Sequence, residues 1–198
     1  MSKLILTEFL EFKPDASLLT EEERKKIEEG EEIYLAGVMQ RAGATNGNGR
    51  VYPLPILQRE VENYQKIVRE GRAVGELDHP DSSVVELKNA SHLVTEISMD
   101  GEDVVGKIKI LDTPAGKTAI GLLKGGVKLG ISSRGLGSTR QEGGNTIVQE
   151  DFQLVCFDLV SEPSTAGAFM LREGKEPNIF TKADKINRLL NDILSDEK

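Results

Sequence analysis

Two β-favouring runs, Asn89 to Met99 and Asp103 to Leu111, are separated only by Asp100-Gly101-Glu102. Three polar residues around a glycine leave no length for a helix or a crossover, so the runs must fold back on each other as an antiparallel hairpin. The same grammar recurs along the chain. Glu142-Gly143-Gly144-Asn145 is a hairpin turn, followed by strands expected at Thr146 to Glu150 and Phe152 to Val160. Glu32 to Met39 reads as a strand from its apolar, β-favouring content, and Ala73 to His79 as a short extended segment. Pro163 ends the run of strands, and Ala168-Phe169-Met170-Leu171 reads as one more. Helical spacing of Ile56, Leu57, Val61, Tyr64, Ile67 and Val68 predicts an amphipathic helix over 55–70, opened by Pro53 and Pro55 and stopped by Gly71. Thr113-Pro114 opens a shorter helix to about Lys124, broken by Gly125-Gly126. Strands that fold back locally, with helices set apart from them, make an α+β chain. The expected architecture is a mostly antiparallel β-barrel core flanked by helices.

The ends read differently from this core, which spans 31–172. Residues 1–30 form an N-terminal segment: 1–20 show no sustained period, and Thr20-Glu21-Glu22-Glu23 is a capping box for a charged helix to about Glu29. Residues 173–198 are a Gly- and Pro-containing linker and a helix capped by Thr181, with Ile186, Leu189, Leu190, Ile193 and Leu194 as its apolar stripe. Both ends are expected as appendages, with a regulatory role for the first.

Bulk properties narrow the function. A net charge of −8 and the absence of Trp argue against a nucleic-acid binder, which would show a basic face and stacking aromatics. No apolar run approaches the ~20 residues that span a bilayer. The start of the chain is not patterned as a signal peptide, and the one cysteine, Cys156, allows no internal disulfide, so a reducing cytoplasmic setting is expected. His79, His92, Asp78 and Asp81 lack compact ligand spacing, so no metal site and no cofactor is expected.

The chemistry concentrates in three stretches. Gly130-Ile131-Ser132-Ser133-Arg134-Gly135-Leu136-Gly137-Ser138 runs as a strand into two hydroxyls and an arginine among glycines, which leave the serines little steric cover. Gly75-Glu76-Leu77-Asp78-His79-Pro80 carries one of the two histidines, and Pro80 biases His79 away from helical angles. Asp158 sits in the apolar run Leu154 to Val160, either on a solvent face or buried with a partner. Serine, histidine and acid are the parts of an activated nucleophile. Spacing alone does not say whether they meet. Arg134 reads either as a reader of a substrate carboxylate or as a surface ion-pair member. Cys156, two residues from Asp158, is a rival nucleophile on the same strand face.

Together with Asn46-Gly47-Asn48-Gly49-Arg50-Val51-Tyr52-Pro53, these stretches resemble the prohead core proteases of T-even-type tailed phages, in order and in spacing. That family is related in fold to the herpesvirus assemblins, so the resemblance implies an assemblin-like core. It implies that Ser132 is the nucleophile and His79 the general base. Assemblins use a second histidine as third member, and the matching strand position here is Asp158. Ser133 and Arg134 become candidates for oxyanion or substrate binding. The implied activity is a serine endopeptidase that degrades scaffold and trims capsid proteins inside the procapsid, in the host cytoplasm, as a homo-oligomer. Its cuts would follow Glu in Leu/Ile-x-Glu sites, read by a local basic pocket for which Arg134, Arg140 and Lys128 are candidates. Sites of that form occur in this chain at Glu8, Glu21 and Glu173, so self-cleavage of the ends is a further expectation. Two other classes stay open: a non-catalytic assembly or scaffold protein on the same barrel, and an unrelated hydrolase using Cys156.

Overall fold

A computed structural model describes residues 4–10, 16–28, 32–80 and 82–161. The expected strand at 168–171, the linker and the helix over 181–196 lie outside the described residues. The elements in chain order are β1 (Leu4–Leu10), α1 (Glu21–Glu28), β2 (Tyr34–Arg41), β3 (Arg50–Val51), α2 (Leu54–Arg69), β4 (Val74–Glu76), β5 (Ala90–Asp100), β6 (Asp103–Ile110), α3 (Pro114–Lys124), β7 (Gly130–Gly137), β8 (Thr139–Glu142), β9 (Asn145–Val148) and β10 (Gln153–Val160).

The predicted hairpin is β5–β6, closed at Asp100↔Asp103. It forms the middle of a sheet ordered β2-β6-β5-β4. A second sheet is β1-β7-β10, with the serine strand β7 in its centre, and a third is β3-β9-β8. Every ladder is antiparallel except the two-residue pairing of β3 with β9. The β8–β9 turn falls at Gly143-Gly144, where φ of 56° and 88° favours glycine.

The first two sheets meet at two seams. At one, the chain leaving β4 reaches β10 through the single parallel bridge Leu77↔Leu159 and a bond from Asp78 N to Leu159 O of 2.7 Å. At the other, β2 lies beside β1 and β7. The expected barrel is not shown as one continuous ladder among the described residues. β4 is only three residues long, and the chain turns out of the sheet at Asp78 before it can pair further with β10. Close approach at this seam needs Gly75: a Cβ there would stand 2.0 Å from Phe157 O and 2.3 Å from His92 Nε2.

Helix α2 begins at Pro53-Leu54-Pro55, as expected, and buries Ile56, Leu57, Val61 and Tyr64. Each such side chain removed from water contributes roughly 1.5–3 kcal/mol. Tyr64 meets Phe157 of β10 edge to face, with ring centroids 5.7 Å apart. Ile131, Leu159, Val94 and Ile108 complete this core between helix and sheets.

The described parts of the N-terminal segment, β1 and α1, pack on the core sheets. β1 pairs with β7 from Leu4↔Gly137 to Leu10↔Ile131. Its strand is set by backbone pairing at a sheet edge, and Leu6 is buried while Leu4 and Ile5 are exposed, so no strong side-chain period marks it. The expected capping box opens α1, with Glu23 N donating to Thr20 Oγ1 (3.2 Å) and Thr20 N to Glu23 Oε2 (2.8 Å). Glu23 also pairs with the buried Lys107 of β6 at 2.8 Å, which docks α1 on the sheet.

One irregularity positions the chemistry. In β10 the register against β7 shifts between Leu154↔Gly135 and Cys156↔Arg134. Leu154 N is bonded to Oε2 of the buried Glu60 of α2 at 2.9 Å, and Val155 becomes the extra residue of a bulge. Beyond the bulge, Asp158 stands opposite Ser132 and Phe157 opposite Ser133. Without it, continuing the earlier register would set Phe157 opposite Ser132.

Candidate active site

Residues directly opposite on an antiparallel pair share a face, and so do residues two apart on one strand. The bulge therefore gathers Ser132, Arg134, Cys156 and Asp158 on one face of the β7–β10 pair. His79 arrives from the neighbouring sheet. After β4, Asp78 adopts φ 71°, the only left-handed backbone at a non-glycine among the described residues. Its N–H is held by Leu159 O, and its Oδ1 accepts a bond from His79 N at 3.0 Å. Asp is among the residue types that tolerate this conformation best, and here it turns His79 back over β10 and β7.

The result is a chain of three side chains. His79 Nε2 lies 2.5 Å from Ser132 Oγ, and His79 Nδ1 lies 3.0 Å from Asp158 Oδ2. An ionised carboxylate only accepts, so Nδ1 carries the proton and Nε2 is left as acceptor for the serine hydroxyl. Asp158 is fully buried. Burial pushes its carboxyl up, but the His79 bond, the Arg134 charge and the bond from Glu76 N together outweigh it and hold the group below the ordinary carboxylate value. Of the two readings of Asp158, solvent face or buried with partners, the structure has the second.

Arg134 is placed differently from the expectation. Its side chain has no exposed surface. Nη2 donates to Glu76 Oε2 and, at 3.2 Å, to Asp158 Oδ1; Nη1 donates to Ser82 O at 2.6 Å; and Nε stands 2.9 Å from Asp158 Oδ2 as an ion-pair contact. A guanidinium enclosed among these acceptors is a buried member of an ion cluster, not the surface ion-pair member of one expectation. Arg140, another cation expected in a basic pocket, pairs with Glu142 on the exposed β8. Ser133 points to the opposite face of β7, where its Oγ is buried and makes no hydrogen bond. Its hydroxyl is not beside His79.

Cys156 shares the face of Asp158, as its spacing suggests, and its Sγ donates to Asp158 Oδ1 at 3.4 Å. Burial first, then the adjacent Asp158 charge, push the thiol well above its ordinary value. A thiol so strongly held in its protonated form is a poor nucleophile, which removes the main support for the rival hydrolase. His92, on β5, is fully buried; its Nε2 bonds Phe157 O at 3.0 Å and its Nδ1 bonds Ser91 Oγ at 2.9 Å. Burial lowers it to about 4, so its ring is neutral at neutral pH. Of the Glu residues in Leu-x-Glu sites, Glu8 lies in β1 opposite Ser133, Glu21 is exposed in the first turn of α1, and Glu173 is outside the described residues.

Sequence reasoning gave Glu76 no part beside Arg134. The signal available was an acid in the short apolar delivery strand, but nothing linear links it to Arg134, 58 positions on. A cleft of about 380 Å³ lies elsewhere, between α2 and the β5–β6 hairpin, lined by Gln65, Val68, Ile97 and Lys107. Neither histidine lines it, nor do Ser132 and Asp158. The Ser132–His79–Asp158 array, in which the His79 side chain is 16% exposed, is the candidate active site.

A model of the prohead core protein serine protease family matches residues 7–178. The chain belongs to this family. It is 33% identical over 162 residues to the prohead core protein protease of Enterobacteria phage T4, an alignment that covers 77% of this chain and 76% of that protein. The solved structure of the bacteriophage T4 capsid assembly protease superposes with a TM-score of 0.65 and 27% identity, covering 81% of this chain and 99% of that one. Family membership thus makes the chain a prohead protease and a homologue of a capsid assembly protease. Its mixed α+β fold, mostly antiparallel with few helices, is shared with that structure.

Proposed function

We propose that this prohead protease is a serine endopeptidase that degrades scaffold and trims capsid proteins inside the phage procapsid. The observation that supports this most is the short contact between His79 Nε2 and Ser132 Oγ, backed by Asp158 on Nδ1. In this reading Ser132 Oγ attacks the scissile carbonyl carbon and its proton passes to His79 Nε2. Asp158 holds the ring and stabilises the imidazolium. The tetrahedral intermediate then collapses, the imidazolium gives its proton to the departing amine, and water releases the acyl group by the same steps. With the Arg134 side chain enclosed, backbone N–H groups flanking Ser132, at Ser133 and Arg134, are the proposed oxyanion donors.

The proposed cleavage follows Glu in Leu/Ile-x-Glu sites, and includes the chain's own ends in a homo-oligomer at procapsid concentrations. A cut after Glu8 would first require β1 to peel from β7, whereas Glu21 needs only fraying at the start of α1. A cut after Glu173 would release the segment beyond it, including the stretch over 181–196 that the sequence pattern marks as an expected helix. Incubating the protein with peptides that differ only as Leu-x-Glu and Leu-x-Gln tests the reading. Cleavage of the first, loss of cleavage in Ser132→Ala and little cutting of the second are expected. Equal cutting of both peptides would remove the glutamate preference, and cutting by Ser132→Ala would remove the nucleophile.

A further inference from the structure

We propose that Glu76 and Arg134 act as a counter-ion pair that positions Asp158 and sets the pH range over which His79 activates Ser132. The inference rests on the reading of Ser132 as nucleophile. Arg134 touches both carboxylate oxygens of Asp158, Nη2 at 3.2 Å from Oδ1 and Nε at 2.9 Å from Oδ2. Glu76 reaches the same carboxylate twice, once through its own backbone N–H at 3.0 Å from Oδ1 and once through the guanidinium that its side chain binds. The side chains of Glu76, Arg134 and Asp158 have no exposed surface. The rotamer of Asp158 is thus fixed from three directions, and with it the orientation of the His79 ring.

Asp158 paired with Arg134 alone would be a neutral couple, and an imidazolium forming beside it would meet little net field. Glu76 changes that. Two carboxylates and one guanidinium carry one net negative charge while His79 is neutral, and the cluster reaches neutrality when His79 takes the serine proton. In an enclosed site the field of such charges is screened far less than in water. Among the described residues, the other groups facing this cluster are uncharged at neutral pH or lie towards water. Cys156 on β10 is a protonated thiol, Tyr64 on α2 is pushed up by burial and His92 on β5 is neutral. Ser132 on β7 is a hydroxyl. Asp78 is exposed, and Glu86 pairs with the exposed Lys88. Glu76 also anchors the loop after His79, since its Oε1 accepts from Glu86 N at 3.2 Å while Arg134 holds Ser82 O.

The test is the rate at which a fluorophosphonate modifies Ser132 in the full chain, followed against pH. The probe reports the serine–histidine pair without depending on a peptide preference. Glu76→Gln keeps the shape and removes a negative charge, so the acidic limb of the profile should move to lower pH by on the order of one unit. Arg134→Met removes the positive charge and should move the limb to higher pH by a similar amount, while Arg134→Lys should restore it towards wild type. A residue that only supported the fold would alter yield and melting but leave the limb in place. Acidic limbs in the folded Glu76→Gln or Arg134→Met variant that superimpose on wild type overturn the proposal. Should one of the two fail to fold, the other decides. A wild-type chain that is never modified at Ser132 overturns the catalytic reading itself, which is a distinct result.

Discussion

Arg134 and Lys107 are both buried cations on interior strands, each held between two carboxylates. Arg134 sits between Glu76 and Asp158, and Lys107 between Glu23 and Glu96. The difference lies in the partners. Glu76 and Asp158 have no exposed side-chain surface, whereas Glu96 is 64% exposed and Glu23 belongs to the capping box of α1. Lys107 fastens a helix to a sheet, and its contacts lead out to the exposed Glu96. Arg134 fastens the one acid that continues into His79 and Ser132. A buried ion cluster is therefore not by itself a site; it becomes one when a member has a further bond to a group that can move a proton.

The largest effect that would break this contrast is on activity. Ser132→Ala and His79→Ala should each lower kcat/KM by roughly 10⁴-fold or more, and Asp158→Asn by about 10³- to 10⁴-fold, because the three act as a unit. Lys107→Met should leave kcat/KM of the folded protein within about twofold. Steady-state rates on a Leu-x-Glu peptide, corrected for folded fraction, check all four.

Acid stability comes next and involves the seam between the two regions. His92 is lowered by burial to about 4 from an ordinary 6.5. Between those values the unfolded chain takes up a proton that the folded chain does not, so stability is full above about 6.5 and falls as pH drops towards 4. The whole interval is worth about 3 kcal/mol. Asp158, held below its ordinary value, adds a loss at more acid pH, as the solution passes through its folded value. Urea unfolding of wild type and His92→Gln between pH 7 and 4 should show a shallower decline in the variant.

Effects on stability are smaller. Lys107→Met should destabilise the fold by about 2 kcal/mol, less than a fully enclosed pair would lose, because Glu96 keeps its water. Asp78→Gly removes the left-handed penalty but also the side-chain bond to His79 N. Stability should change by no more than about 1 kcal/mol while kcat falls several-fold, measurable by melting and by rate.

The hairpin, α2 with its proline start, the capping box and the turn at Gly143-Gly144 were legible in the sequence, because each depends on local propensity or periodicity. β1 was not, because an edge strand paired along its backbone needs no strong side-chain pattern. The site divides in the same way. Ser132, His79 and Asp158 could be named from motifs that the resemblance supplied. What brings them together could not, because the Val155 bulge depends on Glu60 in α2 taking the N–H of Leu154, a contact 94 residues apart. The fate of Arg134 was hidden for the same reason: two strands and a loop had to be placed before its acids were known.

The central claim, that Ser132 is the nucleophile activated by His79, is tested most directly by peptide mapping of the protein after reaction with a fluorophosphonate. A single adduct on Ser132, formed by wild type and absent from His79→Ala, is the predicted result. An adduct on Ser133 or Cys156, or one on Ser132 that forms equally fast without His79, would contradict the account.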